Sequence, residues 1–336
     1  MTSLVRAAVL TNYLEVALHA GLNPQKELAA VGLNQSFLKD PDHFIPMHAA
    51  VQLLENSAAH SNCENFGLRV AESRHFSDLG AVSLLLSHQP NLRHALQMVL
   101  QYRHLLNHSL AIYLEDVDEL VIIREELVMD RPLACRQGME LALGVMARLC
   151  ASLLGPAWRP LAIHFTHEAP KDATVHRRVF GCKSEFNAKF NGIVCKAAAF
   201  EAPNPNADPA MARYAQRFVD SLRNEAERTL AHEVRTAIYV LLPMGRATIE
   251  QVAQALGMNV RTLQRRLEEN DANFSDLINE VRRDLVQRYM FNPSYSLARI
   301  GELLGYSLPS SFTRWFTVQF SRTPAAWRSA HVKSQS

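Results

Sequence analysis

The 336-residue sequence lacks the cysteine patterns of a disulfide framework or a zinc finger. Its five cysteines are odd in number, and no two of them form a Cys-x-x-Cys pair. Secreted domains pair their cysteines, whereas thiols in the reducing cytosol stay free. The sequence therefore predicts a cytoplasmic protein whose cysteines are reduced and mostly buried. They are Cys63, Cys135, Cys150, Cys182 and Cys195.

Long apolar runs are also missing. A membrane-spanning helix needs about 20 apolar residues, but the run at 141–154 is shorter than this and contains Arg148. Residues 1–21 carry Asn12 and Glu15 among apolar residues, which indicates an amphipathic helix and not a signal peptide. We therefore expect no membrane partner.

No familiar catalytic pattern is present. The sequence has no glycine-rich phosphate loop, no nucleophile elbow and no acid/base pair at a recognisable spacing. His104 and His108 would share one helical face, but no Glu follows His104 to make the His-Glu-x-x-His metal motif. We predict no enzyme activity, no metal site and no cofactor.

What the chain does have is an uneven distribution of charge. The net charge is only +2, yet residues 229–336 contain 13 Arg and Lys against 9 Asp and Glu, and the remainder contains 22 against 24. Twelve of the 13 basic residues are arginines. The planar guanidinium group binds guanine and phosphate in a bidentate manner. The basic C-terminal third is therefore the candidate for nucleic-acid binding.

One pattern occurs twice in that third. It consists of a short helix with an apolar face, a turn containing Gly257 or Gly305, and a second helix that bears arginine. The first copy covers 248–268 and the second covers 296–320. Each copy has the form of a helix-turn-helix, which places its second helix in the major groove of double-stranded DNA.

The apolar positions of each copy should hold its two helices together. Thr248, with Gln251 in a capping box, and Ser296 are expected to cap the first helices. The positions predicted to be buried are Val252, Leu256, Leu263, Leu267, Ile300, Leu304, Phe312 and Phe316.

The second helix of each copy is left with an outward polar face. Arg suits guanine, Gln suits adenine, and Ser and Thr suit several bases. The predicted DNA-binding residues are Arg261, Thr262, Gln264 and Arg265 in the first copy, and Ser310, Ser311, Thr313 and Arg314 in the second.

A long helix is predicted between the copies, because apolar residues recur at helical spacing from Phe274 to Leu285. At 1.5 Å per residue it would be roughly 25 Å long, and could hold the two reading helices about one DNA turn (~34 Å) apart. Arg282, Arg283 and Arg288 lie on it. Two alternatives stay open for them: contact with phosphate, or simple solvation of the helix.

The first 200 residues predict an α+β domain. Helical patterns are followed by period-two alternation at 110–127, read as a hairpin, by a helix at 133–154 and by a strand at 161–166. Two further strands, 184–190 and 193–200, are predicted to pair about a turn at Asn191-Gly192. The expected fold is helices plus a small, mostly antiparallel sheet, followed by an all-α domain with two helix-turn-helix motifs joined by a long helix.

Three prolines in eight residues at 202–209 mark the predicted domain boundary. We assign 1–202 to an effector-sensing or dimerisation domain, 203–230 to a linker and connecting helix, and 231–332 to the DNA-binding domain. An apolar stripe on the connecting helix either docks on a domain or pairs with a second copy of the chain. It consists of Met211, Tyr214, Phe218 and Leu222.

The C-terminal pattern resembles the DNA-binding domain of the AraC family of bacterial transcription regulators. The marks are Leu263-x-Arg265-x-Leu267, Ile300-x-x-x-Leu304-Gly305-Tyr306, Ser310-x-Phe312-x-Arg314-x-Phe316 and Thr323-Pro324-x-x-Trp327-Arg328. By this resemblance, Arg261, Gln264 and Arg265 fall on the positions of the first motif that read bases. The corresponding face of the second motif carries Ser310, Ser311, Thr313 and Arg314. Two departures are Leu308, where the family commonly has a polar residue, and Ser321, where it usually has Gly.

The N-terminal residues resemble the arabinose-binding-like effector domain of one AraC subgroup. Asp40-Pro-Asp, Ile45-Pro46, Phe66-Gly67-Leu68-Arg69 and Gly80 carry that likeness. It implies a regulator of transcription with a small-molecule effector, a homodimer and RNA polymerase as further expected partners. The alternatives are an N-terminal enzyme or a purely structural dimerisation module fused to the DNA-binding domain.

Overall fold

The computed structural model describes residues 3–107, 109–129, 133–222, 229–292 and 295–332. The chain divides into two compact units, Met1–Glu225 and Ala226–Ser336. His108, one of the two histidines considered for a metal site, lies outside the described residues. The N-terminal unit contains helices and two small sheets, and the described part of the C-terminal unit is helical, so the predicted fold class is confirmed.

The N-terminal unit has ten described α-helices. Their bounds are α1 Tyr13–His19, α2 Pro24–Ala30, α3 Met47–Ser61, α4 Phe66–Glu72, α5 Ala81–Ser87, α6 Leu92–Gln101, α7 Arg136–Leu154, α8 Thr174–Phe180, α9 Ala197–Glu201 and α10 Pro209–Ser221. Short 3₁₀ helices lie at Ala7–Leu10, Gln35–Leu38, Phe76–Leu79 and Arg103–Leu105.

Two sheets complete this unit. The strands are β1 Leu4–Arg6, β2 Phe44–Pro46, β3 Leu110–Val117, β4 Leu120–Leu127, β5 Ala162–His164, β6 Lys183–Glu185 and β7 Gly192–Lys196. Strands β1 and β2 form an antiparallel pair, and the others form a sheet in the order β3-β4-β7-β5-β6. Only the β5–β6 pair is parallel among the described strands, so the expected small, mostly antiparallel sheet is present.

The hairpin predicted about Asn191-Gly192 is wrong. Strand β7 begins at Gly192 and pairs with β4 and β5, whereas β6 pairs with β5. A Cβ atom at Gly192 would lie 2.6 Å from the backbone oxygen of Ile123, so this glycine permits close strand pairing and does not form a turn. The Asn191 side chain accepts a hydrogen bond from the Thr166 amide at 2.9 Å. Strand β7 also ends at Lys196, immediately before α9, and not at residue 200 as predicted.

Helix α7 packs at the centre of the N-terminal unit. Gly144 lets α4 approach closely, because a Cβ atom at this position would lie 2.5 Å from the Cβ atom of Ala71. Among the described residues, α7 is the one helix long and apolar enough to cross a membrane by length and composition, and most of it is buried inside the protein. It begins at Arg136, three residues later than the sequence pattern predicts.

Helix α10 packs within the N-terminal unit. Asp208 caps it by accepting from the amides of Ala210 and Met211, and Ala215 and Val219 are its buried residues. The side chain of Asp220 accepts a hydrogen bond from the Tyr102 hydroxyl at 2.7 Å. The helix thus packs through a face other than the apolar stripe, whose four members are between 41% and 65% exposed. The domain boundary at residue 202 stays a prediction.

The described part of the C-terminal unit contains seven α-helices. They are α11 Leu230–Leu241, α12 Ile249–Ala255, α13 Val260–Glu268, α14 Phe274–Phe291, α15 Leu297–Leu303, α16 Pro309–Phe320 and α17 Pro324–Val332, with a 3₁₀ helix at Leu242–Met244. The connecting helix α14 has 18 residues, close to the expected length.

Candidate DNA-binding surface and an internal cavity

The first helix-turn-helix consists of α12, a turn and α13. Thr248 caps α12 by accepting from the Gln251 amide, as predicted. The capping box is not completed, because Oε1 of Gln251 is buried and has no hydrogen-bond partner among the described residues. Gly257 has a φ of 65°, which an L-residue adopts only at a cost, and it turns the chain towards α13.

The packing of this motif leaves one side of α13 in solvent. Leu263 and Leu267 are no more than 1% exposed, as is Val252 on α12, while Leu256 is half-buried. Asn259 caps α13 by accepting from the Thr262 amide at 2.8 Å. This cap and the two leucines fix the rotation of α13 about its axis.

The outward face of α13 carries three of its four predicted DNA-binding residues. Arg261, Gln264 and Arg265 are exposed, and Thr262 is half-buried. The guanidinium of Arg265 lies 3.5 Å from the carboxylate of Glu269, and both side chains are more than half exposed. Such a surface ion pair contributes little, about 0–1 kcal/mol, so Arg265 can exchange it for a base or phosphate.

The second helix-turn-helix consists of α15, a turn and α16. Ser296 caps α15 by accepting from the Arg299 amide at 3.1 Å, as predicted. Gly305 has a φ of 77° and forms the turn. The four positions predicted to be buried are at most 2% exposed; they are Ile300, Leu304, Phe312 and Phe316.

Aromatic side chains fix α16 in the C-terminal unit. Phe316 lies against Phe320 with ring centroids 4.5 Å apart, and its ring is edge-on to Trp327 of α17 at 6.2 Å. The indole of Trp315 donates to the side-chain oxygen of Asn279 on α14 at 3.2 Å. A recognition helix held on two sides in this way presents its outer face in one orientation.

That outer face is smaller and less charged than the face of α13. Ser310, Thr313 and Arg314 are exposed, and Ser311 is half-buried. The Thr313 hydroxyl donates to the backbone oxygen of Pro309 at 3.0 Å, which leaves its lone pairs as acceptors. Two neighbours that the sequence reasoning did not select, Leu308 and Val318, are 60% and 72% exposed.

The three arginines of α14 have protein partners. The Nε atom of Arg282 donates to the backbone oxygen of Leu304 at 3.0 Å, and its guanidinium lies 4.4 Å from the ring centre of Tyr306. Arg283 donates to the side chain of Gln319 at 3.0 Å. The guanidinium of Arg288 lies 5.8 Å from the ring centre of Tyr239. They therefore tie α14 to its neighbours, a role that neither sequence alternative included.

A second candidate site is a cavity of about 120 Å³ inside the N-terminal unit. Its walls come from β1, α3, α6, β3, β4 and α7, and most of its lining side chains are aliphatic. The polar residues that line it are Arg6, Arg74, Asp78, Arg103, Asn107 and Glu125.

Glu125 is the exceptional residue of this lining. It is 2% exposed, and neither of its carboxyl oxygens has a hydrogen-bond partner among the described residues. Burial raises the pKa of Glu125 to about 8, so the carboxyl is mostly protonated at neutral pH. Glu115, on the other strand of the hairpin, is instead paired with Arg124 at 2.6 Å.

The sequence reasoning missed Glu125, although a signal was present. Val121, Ile123 and Leu127 alternate along β4 and are buried, and Glu125 occupies the same face. A charged residue at an inward position of a strand is costly unless it is paired or used.

Within the described residues, no three His, Cys, Asp or Glu side chains lie together in a way that suits a metal ion.

Comparison with known proteins assigns a family to both units. The model of the arabinose-binding N-terminal domain of AraC transcription regulators matches residues 21–204, and a helix-turn-helix domain model matches residues 252–330. The first match alone covers more than half of the chain.

Similar proteins match this chain over nearly their full lengths. The HTH-type transcriptional regulator VirS of Mycobacterium tuberculosis is 29% identical over 97% of this chain and 96% of its own. The ornithine utilization regulator of Pseudomonas aeruginosa is 24% identical over 97% of each chain. The crystal structure of the transcriptional regulator CdpR from Pseudomonas aeruginosa covers 91% of this chain and 96% of its own, with a TM-score of 0.45 and 18% identity.

The helix-turn-helix match covers most of both motifs. The family is one of DNA-binding transcription regulators and not of enzymes. The chain belongs to the AraC family of transcription regulators, with an arabinose-binding-type N-terminal domain and a C-terminal helix-turn-helix domain that binds DNA.

Proposed function

We propose that the chain reads two successive segments of the major groove of an operator through the outward faces of α13 and α16. The observation that carries this proposal is the exposure of polar side chains on both helices, while their apolar sides are buried. Arg261, Gln264 and Arg265 read bases from α13, together with Thr262. Ser310, Ser311, Thr313 and Arg314 do so from α16. All eight positions are of types that bond to base edges.

The first motif contributes more of the sequence preference in this proposal. Its face has two exposed arginines and a glutamine, whereas the face of α16 has one exposed arginine among hydroxyl side chains. An arginine that donates two hydrogen bonds to guanine discriminates against other bases by about 1–3 kcal/mol.

The test is a gel-shift titration on DNA selected by the wild-type chain from a random pool. We expect Arg265→Ala and Arg314→Ala each to cost about 1–3 kcal/mol of binding free energy and to relax the preference at their own base pairs. Arg213→Ala, an exposed arginine on α10, is the matched control for loss of one positive charge. Wild-type affinity and wild-type preference in both test variants would refute the assignment of these faces.

The N-terminal unit is proposed to bind a small molecule and thereby adjust DNA binding or contact with RNA polymerase in the cytoplasm. Its internal cavity supports this part, because ligand sites are usually concave and mostly apolar. A homodimer is the alternative use of the unit, and the exposed stripe on α10 is the observation that favours it. Thermal-shift screening of metabolites and light scattering separate the two, since a ligand that binds only the folded form raises the melting temperature.

A further inference from the structure

The size of the cavity in the N-terminal unit limits what can occupy it. Its volume is about 120 Å³, and an apolar cavity of about 150 Å³ holds a molecule the size of benzene. The occupant should therefore have about five or six non-hydrogen atoms. No aromatic side chain is among the residues that line the cavity, so its walls favour a flexible aliphatic body over a stacked ring.

Two of the three basic residues of the lining, Arg6 and Arg74, already bind acceptors of the protein. Arg6 donates from Nε to the carboxylate of Asp42 at 2.9 Å. The Nε atom of Arg74 lies 3.1 Å from the carboxylate of Asp78, and another of its nitrogens donates to the backbone oxygen of Ala8. Because these guanidinium groups already have acceptors, a ligand carboxylate would have to replace them.

Glu125 is the polar group of the lining that lacks a partner. A buried carboxyl without hydrogen bonds is destabilised relative to one that has them. Burial is the cause that raises the pKa of Glu125, which favours its protonated form. Protonated, the group offers one donor and one acceptor to whatever enters the cavity.

We propose that this cavity binds a small aliphatic molecule whose one polar group is an uncharged hydroxyl or carbonyl oxygen, and that this oxygen bonds to the carboxyl of Glu125. The inference rests on the proposal that the N-terminal unit binds a small-molecule effector, and it names the site and the chemical class. An aliphatic ammonium ion is the rival occupant, but it would bury an ion pair and pay for the desolvation of both charges.

Isothermal titration calorimetry on the full-length chain at pH 7 tests the class with four probes of equal chain length. We expect pentan-1-ol and pentan-2-one to bind, and pentanoate and pentylammonium to bind at least about tenfold more weakly, because charged groups lose their hydration in the cavity. Tighter binding of either ion than of both neutral probes would overturn the proposal. So would a failure of both neutral probes to bind.

Variants of Glu125 test its role. Glu125→Leu should lower the affinity for pentan-1-ol about tenfold, the effect of losing a buried hydrogen-bonding partner. Glu125→Gln keeps a donor and an acceptor and should stay within about threefold of wild type. Glu119→Gln is the control, since it makes the same change at an exposed position of the hairpin. Unchanged alcohol affinity in a folded Glu125→Leu would refute the assignment. If Glu125→Leu does not fold, Glu125→Gln decides: an alcohol affinity that differs from wild type by more than about threefold would also refute the assignment.

A pH series gives an independent readout. Pentan-2-one has only an acceptor, so it needs the protonated form of Glu125. Burial raises the pKa of Glu125 to about 8, and the ketone should therefore lose affinity as the pH rises from 7 to 9.5. Pentan-1-ol can donate to the ionised form and should lose less. The thiol of Cys150 on α7 interacts with Glu125, but burial raises the pKa of that thiol well above its usual range.

The charged residues of the same lining provide the check on this series. They are Arg6, Arg74, Asp78 and Arg103. If one of them caused the pH effect, it would persist in Glu125→Gln, and that result would count against Glu125. The gel shift on the same preparations is a separate measurement. Loss of DNA recognition would contradict the proposed function without altering the binding heats, and missing heats would contradict only the cavity assignment.

Discussion

Ser321 shows how a single residue limits the stability of the C-terminal unit. It follows α16 with a φ of 55°, in the left-handed region where the family usually has glycine. A side chain with a Cβ atom is strained in this conformation, whereas glycine adopts it freely. Ser321 in place of the usual glycine therefore still forms the turn after α16, but its side chain makes that backbone conformation less favourable.

We therefore expect Ser321→Gly to stabilise the C-terminal unit by about 0.5–1 kcal/mol. Ser321→Ala, the matched control, keeps the Cβ atom and should give no gain. Urea denaturation followed by the fluorescence of Trp315 and Trp327 measures both variants. Equal stability of the glycine and alanine variants would show that the backbone at this position is not strained.

The residues of the candidate site differ in how far the sequence alone could predict them. Leu263 and Leu267 recur at helical spacing on α13, as Phe312 and Phe316 do on α16. Their burial, and the exposure of Arg265 and Arg314, therefore follow from local periodicity. The alternation along β4 indicates that Glu125 faces inward, but its lack of a hydrogen-bond partner depends on what packs over the strand, which no local pattern contains. The hairpin at Asn191-Gly192 was wrongly predicted for a similar reason, because Gly192 here permits close pairing of β7 with β4 and not a turn.

At the scale of elements, α14 is more than a spacer between the two motifs. Arg282 joins it to the turn of the second motif through the backbone oxygen of Leu304 and the ring of Tyr306. Partial burial lowers the pKa of Arg282, in keeping with a half-buried guanidinium that packs against its neighbours. The sequence predicted the helix and its length, but the partners of its arginines lie on other elements.

Replacement of Arg282 should therefore weaken folding more than DNA contact. We expect Arg282→Leu to cost about 1–2 kcal/mol of stability by removing the hydrogen bond and the ring contact. Arg282→Lys should not restore it, because an ammonium group lacks the planar fork and stacks poorly.

The salt dependence of DNA binding distinguishes this role from a phosphate contact. A lost phosphate contact lowers the slope of log affinity against log salt by about 1. For Arg282→Leu at a temperature where it is folded, we expect the slope of the wild type. A reduced slope together with unchanged stability would place Arg282 on the DNA instead.

At the scale of the molecule, the N-terminal unit contains buried ionisable groups whose pKa values are shifted in opposite directions. The N-terminal unit contains carboxyls whose pKa is raised by burial, to about 7 for Glu55 and about 8 for Glu125. It also contains His167, which lies 3.4 Å from Glu140 and whose pKa burial lowers to about 4. Its stability should depend on pH in two opposite directions.

The signs follow from which state binds more protons. For Glu125 the unfolded chain releases its proton near the usual value of 4.5 while the folded chain keeps it, so stability falls as the pH rises from about 4.5 to 8. For His167 the unfolded chain takes up a proton near 6.5 and the folded chain resists it. Stability therefore also falls as the pH drops from about 6.5 to 4. The N-terminal unit should be most stable where the two effects oppose each other, between about pH 4.5 and 6.5.

Glu125→Gln removes the first effect and leaves the second. We expect the variant to exceed wild type in the free energy of unfolding of the N-terminal unit by about 1–3 kcal/mol at pH 8, and by much less at pH 5. The measurement is urea denaturation at both pH values, followed by the fluorescence of Trp158, with Glu119→Gln as the exposed control. A gain of equal size at pH 5 and pH 8 would mean that the carboxyl of Glu125 titrates alike in the folded and unfolded chains. The cavity would then contain a solvated acid, and the cost that makes an uncharged ligand favourable there would be absent.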